Sequence, residues 1–274
     1  MAPYKSPSAE LLRLGAGELL FDPFVNGVSI GAFRHLGNIE TLELTTTDDK
    51  LVKKSSMSRG RPVYKSVTRS RDVVLRAVGD EWSADNLAMM LMGSVVYATE
   101  AATPVVDQIL SLDVAVGTLG SILGGKFFHV GKLNIGTVSM KLGAVTLTAG
   151  TDYLVYNGKM GLVQIVATSA VVTNATDDLK ISYTPAAITG LNSPVVRGGT
   201  ESEIEGSFLF IEDNSAGENH ILRVWNASVS PDGALGLISD EFATFALNAA
   251  LQDDSQGLHG GTAADPLYHL QLVP

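Results

Sequence analysis

Ile39-Glu-Thr-Leu-Glu-Leu-Thr45 has strand-forming composition, and Val73-Val74-Leu75-Arg76-Ala77-Val78 is a second, stronger strand signature. Asp48-Asp49 reads as a break after the first run, because Asp hydrogen-bonds its local backbone in turns. The 27 residues between the runs, 46–72, form either a long hairpin or a long ordered loop. A structureless connection of that length inside a domain is uncommon, and where it occurs it is generally functional or disordered.

The charge of this stretch is as informative as its pattern. Residues 50–76 hold nine of the nineteen Lys and Arg: Lys50, Lys53, Lys54, Arg59, Arg61, Lys65, Arg69, Arg71 and Arg76. Asp72 is the one acid among them, so the segment carries +8 and the rest of the chain −18, for a total of −10. Residues 200–274 set twelve acids against Arg223. One reading is a solvated face with an excess of cations. The other is a self-assembling subunit, whose basic projection meets an acidic surface on the next copy.

Outward from this stretch, composition bounds the answer. A chain of 274 residues is one large domain or two small ones, and 45% hydrophobic against 18% charged residues excludes disorder for the bulk. The absence of Cys excludes a disulfide scaffold, a thiol nucleophile and Cys-ligated metal. A net charge of −10 argues against a simple nucleic-acid binder, whose affinity comes from neutralising phosphates. Gly (28 residues), Val and Thr favour strands and turns. Residues 1–10 lack a basic region followed by an apolar one, and Leu87 to Ala98 is too short for a bilayer, which needs about 20 residues. The expectation is a soluble chain with no cleaved signal and no membrane partner.

Residues 1–17, with Pro3, Pro7, Gly15 and Gly17, read as an extended arm. A strand over Leu19 to Phe21 precedes the Asp22-Pro23 turn. Residues 83–92 read as a helix. Ser83 is the N-cap, Asp85 complements the dipole, Trp82 and Leu87 form a hydrophobic staple, and Gly93 is the stop. Leu87, Met90 and Leu91 share its expected packing face. Met89, Met90 and Met92 suit either an adaptable binding face or ordinary packing on a sheet, and packing is preferred.

Residues 103–190 differ in composition, with five acids, five Lys and no Arg. Asn157-Gly158 is a hairpin signal between Tyr153-Leu-Val-Tyr156 and the run Leu162 to Val166, and Leu179 to Tyr183 is a further strand. Short strands at this spacing predict a small, Ig-like β-sandwich inserted between Thr103-Pro104 and Asn192-Ser193-Pro194. Beyond it, strands are expected at Ile204 to Ile211, Ile221 to Val229, Leu235 to Ile238 and Phe242 to Leu251. Residues 252–274 read as a second arm. The expected organisation is an arm (1–17), a discontinuous β domain (18–102 plus 191–251), an insert (103–190) and an arm (252–274).

The catalytic motifs fail on inspection. Gly120-Ser-Ile-Leu-Gly-Gly-Lys126 has P-loop spacing, but Phe127 stands where Ser or Thr must hold magnesium, and a strand follows where a helix is needed. His35, His129, His220, His259 and His269 have no metal-motif spacing. Asp48-Asp49, Asp177-Asp178 and Asp253-Asp254 sit in expected turns, and there is no Gly-x-Ser-x-Gly elbow. Asn174-Ala-Thr and Asn226-Ala-Ser match glycosylation acceptors, but with no secretion signal expected they are read as coincidence. The expectation is a protein that is not an enzyme and takes no cofactor or metal.

Phe33-Arg-His-Leu-Gly-Asn38 leads into the 39–45 strand, the basic segment and Trp82-Ser-Ala-Asp-Asn-Leu-Ala88. Val229-Ser-Pro-Asp-Gly-Ala-Leu-Gly-Leu-Ile238 and Asp240-Glu-Phe242 come near the C-terminus. Together these blocks resemble the major tail tube proteins of long-tailed bacteriophages with non-contractile tails, over about residues 18–100 and 195–252. The resemblance implies a mainly β chain. Its β-sandwich or barrel domain has one flanking helix and a long hairpin loop between rings, with the insert as a decoration domain. It implies a virion protein, made in the host bacterial cytoplasm, whose hexameric rings stack into a tube for DNA ejection. The implied partners are further copies of itself, the tape-measure protein, and tail terminator and distal tail proteins, with DNA passing without adhesion. Lys50, Lys53, Lys54, Arg59, Arg61 and Tyr64 become inter-ring contacts, and Glu43 and Glu205 candidate lumen acids. A second reading is a monomeric or surface-displayed protein that binds a receptor or glycan through 103–190.

Overall fold

β-Branched and aromatic runs punctuated by glycine dictate strands, and the structure, a computed structural model describing residues 12–111, 123–169, 178–190 and 192–273, is mainly β. Strands β1 (Gly17–Pro23), β2 (Arg34–His35), β3 (Ile39–Lys54) and β4 (Val63–Gly79) precede helix α1 (Ala84–Met90) and β5 (Ser94–Tyr97). Next come β6 (Val105–Ser111), β7 (Phe127–His129), β8 (Ile135–Leu142), β9 (Val145–Thr146), β10 (Tyr153–Asn157), β11 (Leu162–Ile165) and β12 (Leu179–Pro185). The order ends with β13 (Pro194–Arg197), β14 (Ile204–Glu212), β15 (Asn219–Pro231), β16 (Phe245–Leu251) and β17 (Tyr268–Val273). The chain divides into two units, one from the segments up to Val96 and from Val195 onward, the other Tyr97–Pro194.

The first unit is an antiparallel sheet in the order β2-β1-β14-β15-β16-β4-β3. β15 pairs with β17 over Asn219–Val224 and with β16 over Ala227–Pro231. The core alternates along the strands as a half-buried sheet requires: Leu19 and Phe21, Leu75 and Ala77, Phe245, Leu247 and Ala249 point inward. Phe21 packs on Phe208 at 4.7 Å between ring centroids.

Helix α1 covers this core, capped by Ser83, whose hydroxyl accepts from the Asn86 N–H. Its buried face is Asn86, Ala88, Met89 and Met90, not the expected Leu87 and Leu91, which are half-exposed. Asn86 explains the rotation. Its Nδ2 donates to the carbonyls of Leu36 (2.7 Å) and Glu81 (3.0 Å), and its Oδ1 accepts from Arg34 (2.8 Å), so an amide replaces an aliphatic group in the packed face. Met89 and Met90 are core, as ordinary packing requires, while Met92 is half-exposed beyond the helix. The helix ends at Met90, and the left-handed position that follows comes one residue before the expected glycine. Met92 takes the left-handed conformation (φ 47°) while the Gly93 N–H donates to Ala88 O at 2.8 Å. Gly93 is small for another reason: a Cβ there would lie 2.1 Å from the Arg197 carbonyl oxygen.

Further expectations are corrected in this unit. Asp48-Asp49 is not a turn, because cross-strand arginines hold both residues inside β3. Leu235 to Ile238 is not a strand. With β16 starting at Phe245, Leu237, Ile238 and Phe242 lie in an exposed loop rich in Gly, Ser and acids. Residues 252–274 are not all arm, since β17 pairs with β15. Asp253-Asp254 is a turn, with buried Asp254 accepting the N–H groups of His259 and Gly261.

The second unit has two antiparallel sheets, β6-β12-β8-β9 and β10-β11-β7. Met140, Leu179, Ile181 and Tyr183 from the first, and Tyr153, Val163 and Ile165 from the second, join one buried cluster. The β10–β11 hairpin forms, but its turn is four residues, 158–161, with the positive φ at Gly161 (66°) rather than at Gly158. Residues 120–122 of the P-loop-like run, Asn174 and Asp177 lie outside the described residues; Gly125 and Lys126 lead into β7.

Replacing Asn86 with Leu should cost about 3 kcal/mol, because the buried Leu36 carbonyl, the part-buried Glu81 carbonyl and the Arg34 guanidinium lose their partner together. Urea unfolding of the variant checks this; a midpoint equal to that of the native chain contradicts it.

Candidate assembly interface

A strand is stable when its backbone is paired and one face is covered. The β3–β4 hairpin departs from this. β16 pairs with β4 over residues 74–79 and no farther, so Val63 to Val73 extend past it. Of these, the ten exposed residues Val63 to Asp72 span about 33 Å at about 3.3 Å per residue. Along this ribbon β3 and β4 pair with each other, and no other strand joins them among the described residues. Every residue of β4 from Val63 to Asp72 is exposed.

Near the body the ribbon is held by its own charges. Asp48 faces Arg71 across the strands, with Nε to Oδ1 at 2.8 Å, and Lys50 Nζ lies 3.6 Å from the same carboxylate. The hydrogen bond from Arg71 draws the Asp48 carboxyl below the usual aspartate range. A bulge between Asp49 and Lys50 lets Arg69 reach Asp49 at 3.7 Å.

Toward the tip the balance reverses. Lys53 stands directly opposite Lys65, a like-charge pair that destabilises an isolated hairpin. Lys53, Lys54, Arg59, Arg61 and Lys65 have no ion pair among the described residues. Leu51, Val52, Met57, Val63, Tyr64 and Val67 are exposed between them. Lys50, Lys53, Lys54, Arg59, Arg61 and Tyr64 are thus brought together on one projection. The ribbon combines positive charge with apolar surface, a composition that fits a partner carrying acids and apolar groups.

The two lumen candidates are not brought together. Glu43 in β3 is exposed, 4.0 Å from Arg76, whose Nε donates to Asp232 at 2.7 Å. Glu205, half-buried in β14, sits opposite Ser228, with three strands between it and β3 in the sheet. Among the described residues, no three His, Asp or Glu side chains converge as metal ligands.

Two features escape the sequence reading. The sheet does not close. A cavity of about 400 Å³ opens beside Leu42, Leu44, Leu75, Tyr268 and Leu270, where the rims of β3 and β17 are unpaired among the described residues. The second feature is a tether on the segment entering β1. Arg13 Nε donates to Glu212, His220 Nδ1 lies 2.6 Å from the same carboxylate, and the Leu14 N–H donates to Asn214 Oδ1 at 3.0 Å. Burial opposes ionisation of Glu212, yet the hydrogen bonds from Arg13 and His220 outweigh it and hold its carboxyl below the usual glutamate range. The 199-residue separation of Arg13 from Glu212 leaves no local signal for this tether.

The chain belongs to a family described as "Protein of unknown function UCP028589", whose profile matches residues 12–262. No curated protein matches the chain.

A carboxyl whose folded pKa is depressed adds stability above its unfolded pKa and loses it as pH falls through the folded value. Glu212 should therefore stabilise the 12–16 tether at neutral pH and release it on acidification below the glutamate range. Urea midpoints of native and Glu212→Gln chains should differ at pH 7 and converge toward pH 3. A difference unchanged across that range contradicts the assignment.

Proposed function

We propose that this chain is the subunit of a hollow, self-assembled tube, with the role of a tail tube protein in a non-contractile bacteriophage tail. The observation that carries the proposal is the β3–β4 ribbon. It is an uncovered two-stranded extension, of a kind marginally stable alone in water, bearing cations without ion pairs on an otherwise acidic chain. A neighbouring copy supplies what it lacks.

In this reading the first unit is an incomplete β-sandwich or barrel. Its open rims are completed when six copies close into a ring, which removes strand edges prone to aggregation. Stacked rings make the tube, and the ribbon spans from one ring to the next. The Tyr97–Pro194 unit is an Ig-like sandwich displayed from the tube as a decoration. A negative lumen repels phosphate, so DNA passes without sticking, the reverse of the counterion release that drives nucleic-acid binding. The tape-measure, terminator and distal tail proteins are the partners this role requires, and the role needs no catalysis.

Negative-stain microscopy and light scattering of the purified protein test the proposal. Rings or hollow filaments about 100 Å wide are expected, since β layers about 10 Å apart must surround a bore admitting duplex DNA. A monodisperse monomer at every concentration contradicts it, and a glycan affinity residing in 103–190 would then favour a surface-displayed binding protein.

A further inference from the structure

The ribbon has a counterpart on the same unit, at the other end of the same strands. β4 runs from the ribbon tip at Val63 to Gly79, and Gly79 pairs with Phe245, the first residue of β16. The loop 232–244 joins β15 to β16 at that end, closed by a hydrogen bond from the Asp232 N–H to Ala246 O at 2.8 Å. Register alone therefore sets this loop and the ribbon tip at opposite ends of one sheet.

The composition of the loop is opposite to that of the ribbon in charge and alike in apolar exposure. Ile238 is 98% exposed, Phe242 95% and Leu237 84%. Large apolar side chains at near-complete exposure, three within six residues, mark an interaction surface rather than ordinary solvent contact. Asp240 and Glu241 lie between them and have no ion pair among the described residues. Asp80 and Glu81 follow Gly79 at the same end. The one nearby cation of β4, Arg76, is already held by Asp232.

Resting on the tube reading, we infer that the loop 232–244 is the surface that receives the β3–β4 ribbon of a second copy of this chain. Asp240 and Glu241 meet the uncovered cations Lys53, Lys54 and Arg59. Leu237, Ile238 and Phe242 cover Met57, Val63 and Tyr64. A patch at one end that fits a different patch at the other makes a heterologous contact, which propagates head to tail instead of closing as a dimer. The loop also resolves the Lys53–Lys65 repulsion, because the acids that offset it come from outside the subunit.

The test is charge exchange, followed by light scattering on the full chain. Lys53→Glu with Lys54→Glu reverses the ribbon, and Asp240→Lys with Glu241→Lys reverses the loop. All four positions are exposed, so far-UV circular dichroism and the thermal midpoint should stay at native values. Each reversed chain alone should associate about tenfold or more weakly, the consequence of like charges across an interface. Mixing the two reversed chains, or combining all four changes in one chain, should restore association to within about twofold of native. If the native protein assembles and the loop-reversed chain assembles equally well, or the combination stays as weak as its parents, the inference is overturned while the tube reading stands. If the native protein stays monomeric throughout, both fall.

Discussion

The constraint on which the rest depends is that a β-ribbon cannot satisfy itself. Each strand of a two-stranded projection leaves one edge of its backbone unpaired and both faces wet, and no core pays for its order. In this chain the ribbon is also burdened with cations, including Lys53 facing Lys65. Its base is secured by the Asp48–Arg71 and Asp49–Arg69 pairs, while its outer half is left without acids. The sequence thus stabilises the projection where it leaves the body and gives its tip no ion pair of its own among the described residues.

The body has the complementary character. Phe21, Phe208, Phe245 and Leu247 give it a core of its own, and α1 covers one side through Asn86, Met89 and Met90. Yet the sheet stays open, with an apolar cavity beside Leu42, Leu44 and Leu270. In the proposed tube, a core of this kind lets the chain fold before its rims are completed. The tether of Arg13 to Glu212 holds the described residues before β1 close to that open side.

Much of the architecture is legible in the residues, for physical reasons that also explain the misses. Period-two alternation over Phe245 to Leu251 marks a half-buried strand, and the structure has one. Ser83 announces the helix because an N-cap is a local device. The helix face escapes the local pattern because the carbonyls that Asn86 serves belong in part to Leu36, fifty residues away, which no local period encodes. Asp48-Asp49 reads as a turn in isolation because its partners, Arg71 and Arg69, are distant in sequence and adjacent only after pairing. Leu235 to Ile238 reads as a strand because hydrophobicity is taken as burial, and the exposed apolar groups of this loop break that equation. The basic projection was legible as composition. Its continuous pairing as a ribbon, and the acidic, apolar loop at the opposite end of the sheet, required the register.

The most direct measurement of whether the ribbon is completed by another copy is amide hydrogen exchange across residues 46–72 at increasing protein concentration. The account predicts fast exchange near the tip in dilute solution and protection that grows with concentration, while the core amides of β15 and β16 do not change. Ribbon amides as protected at the lowest concentration as at the highest would contradict it.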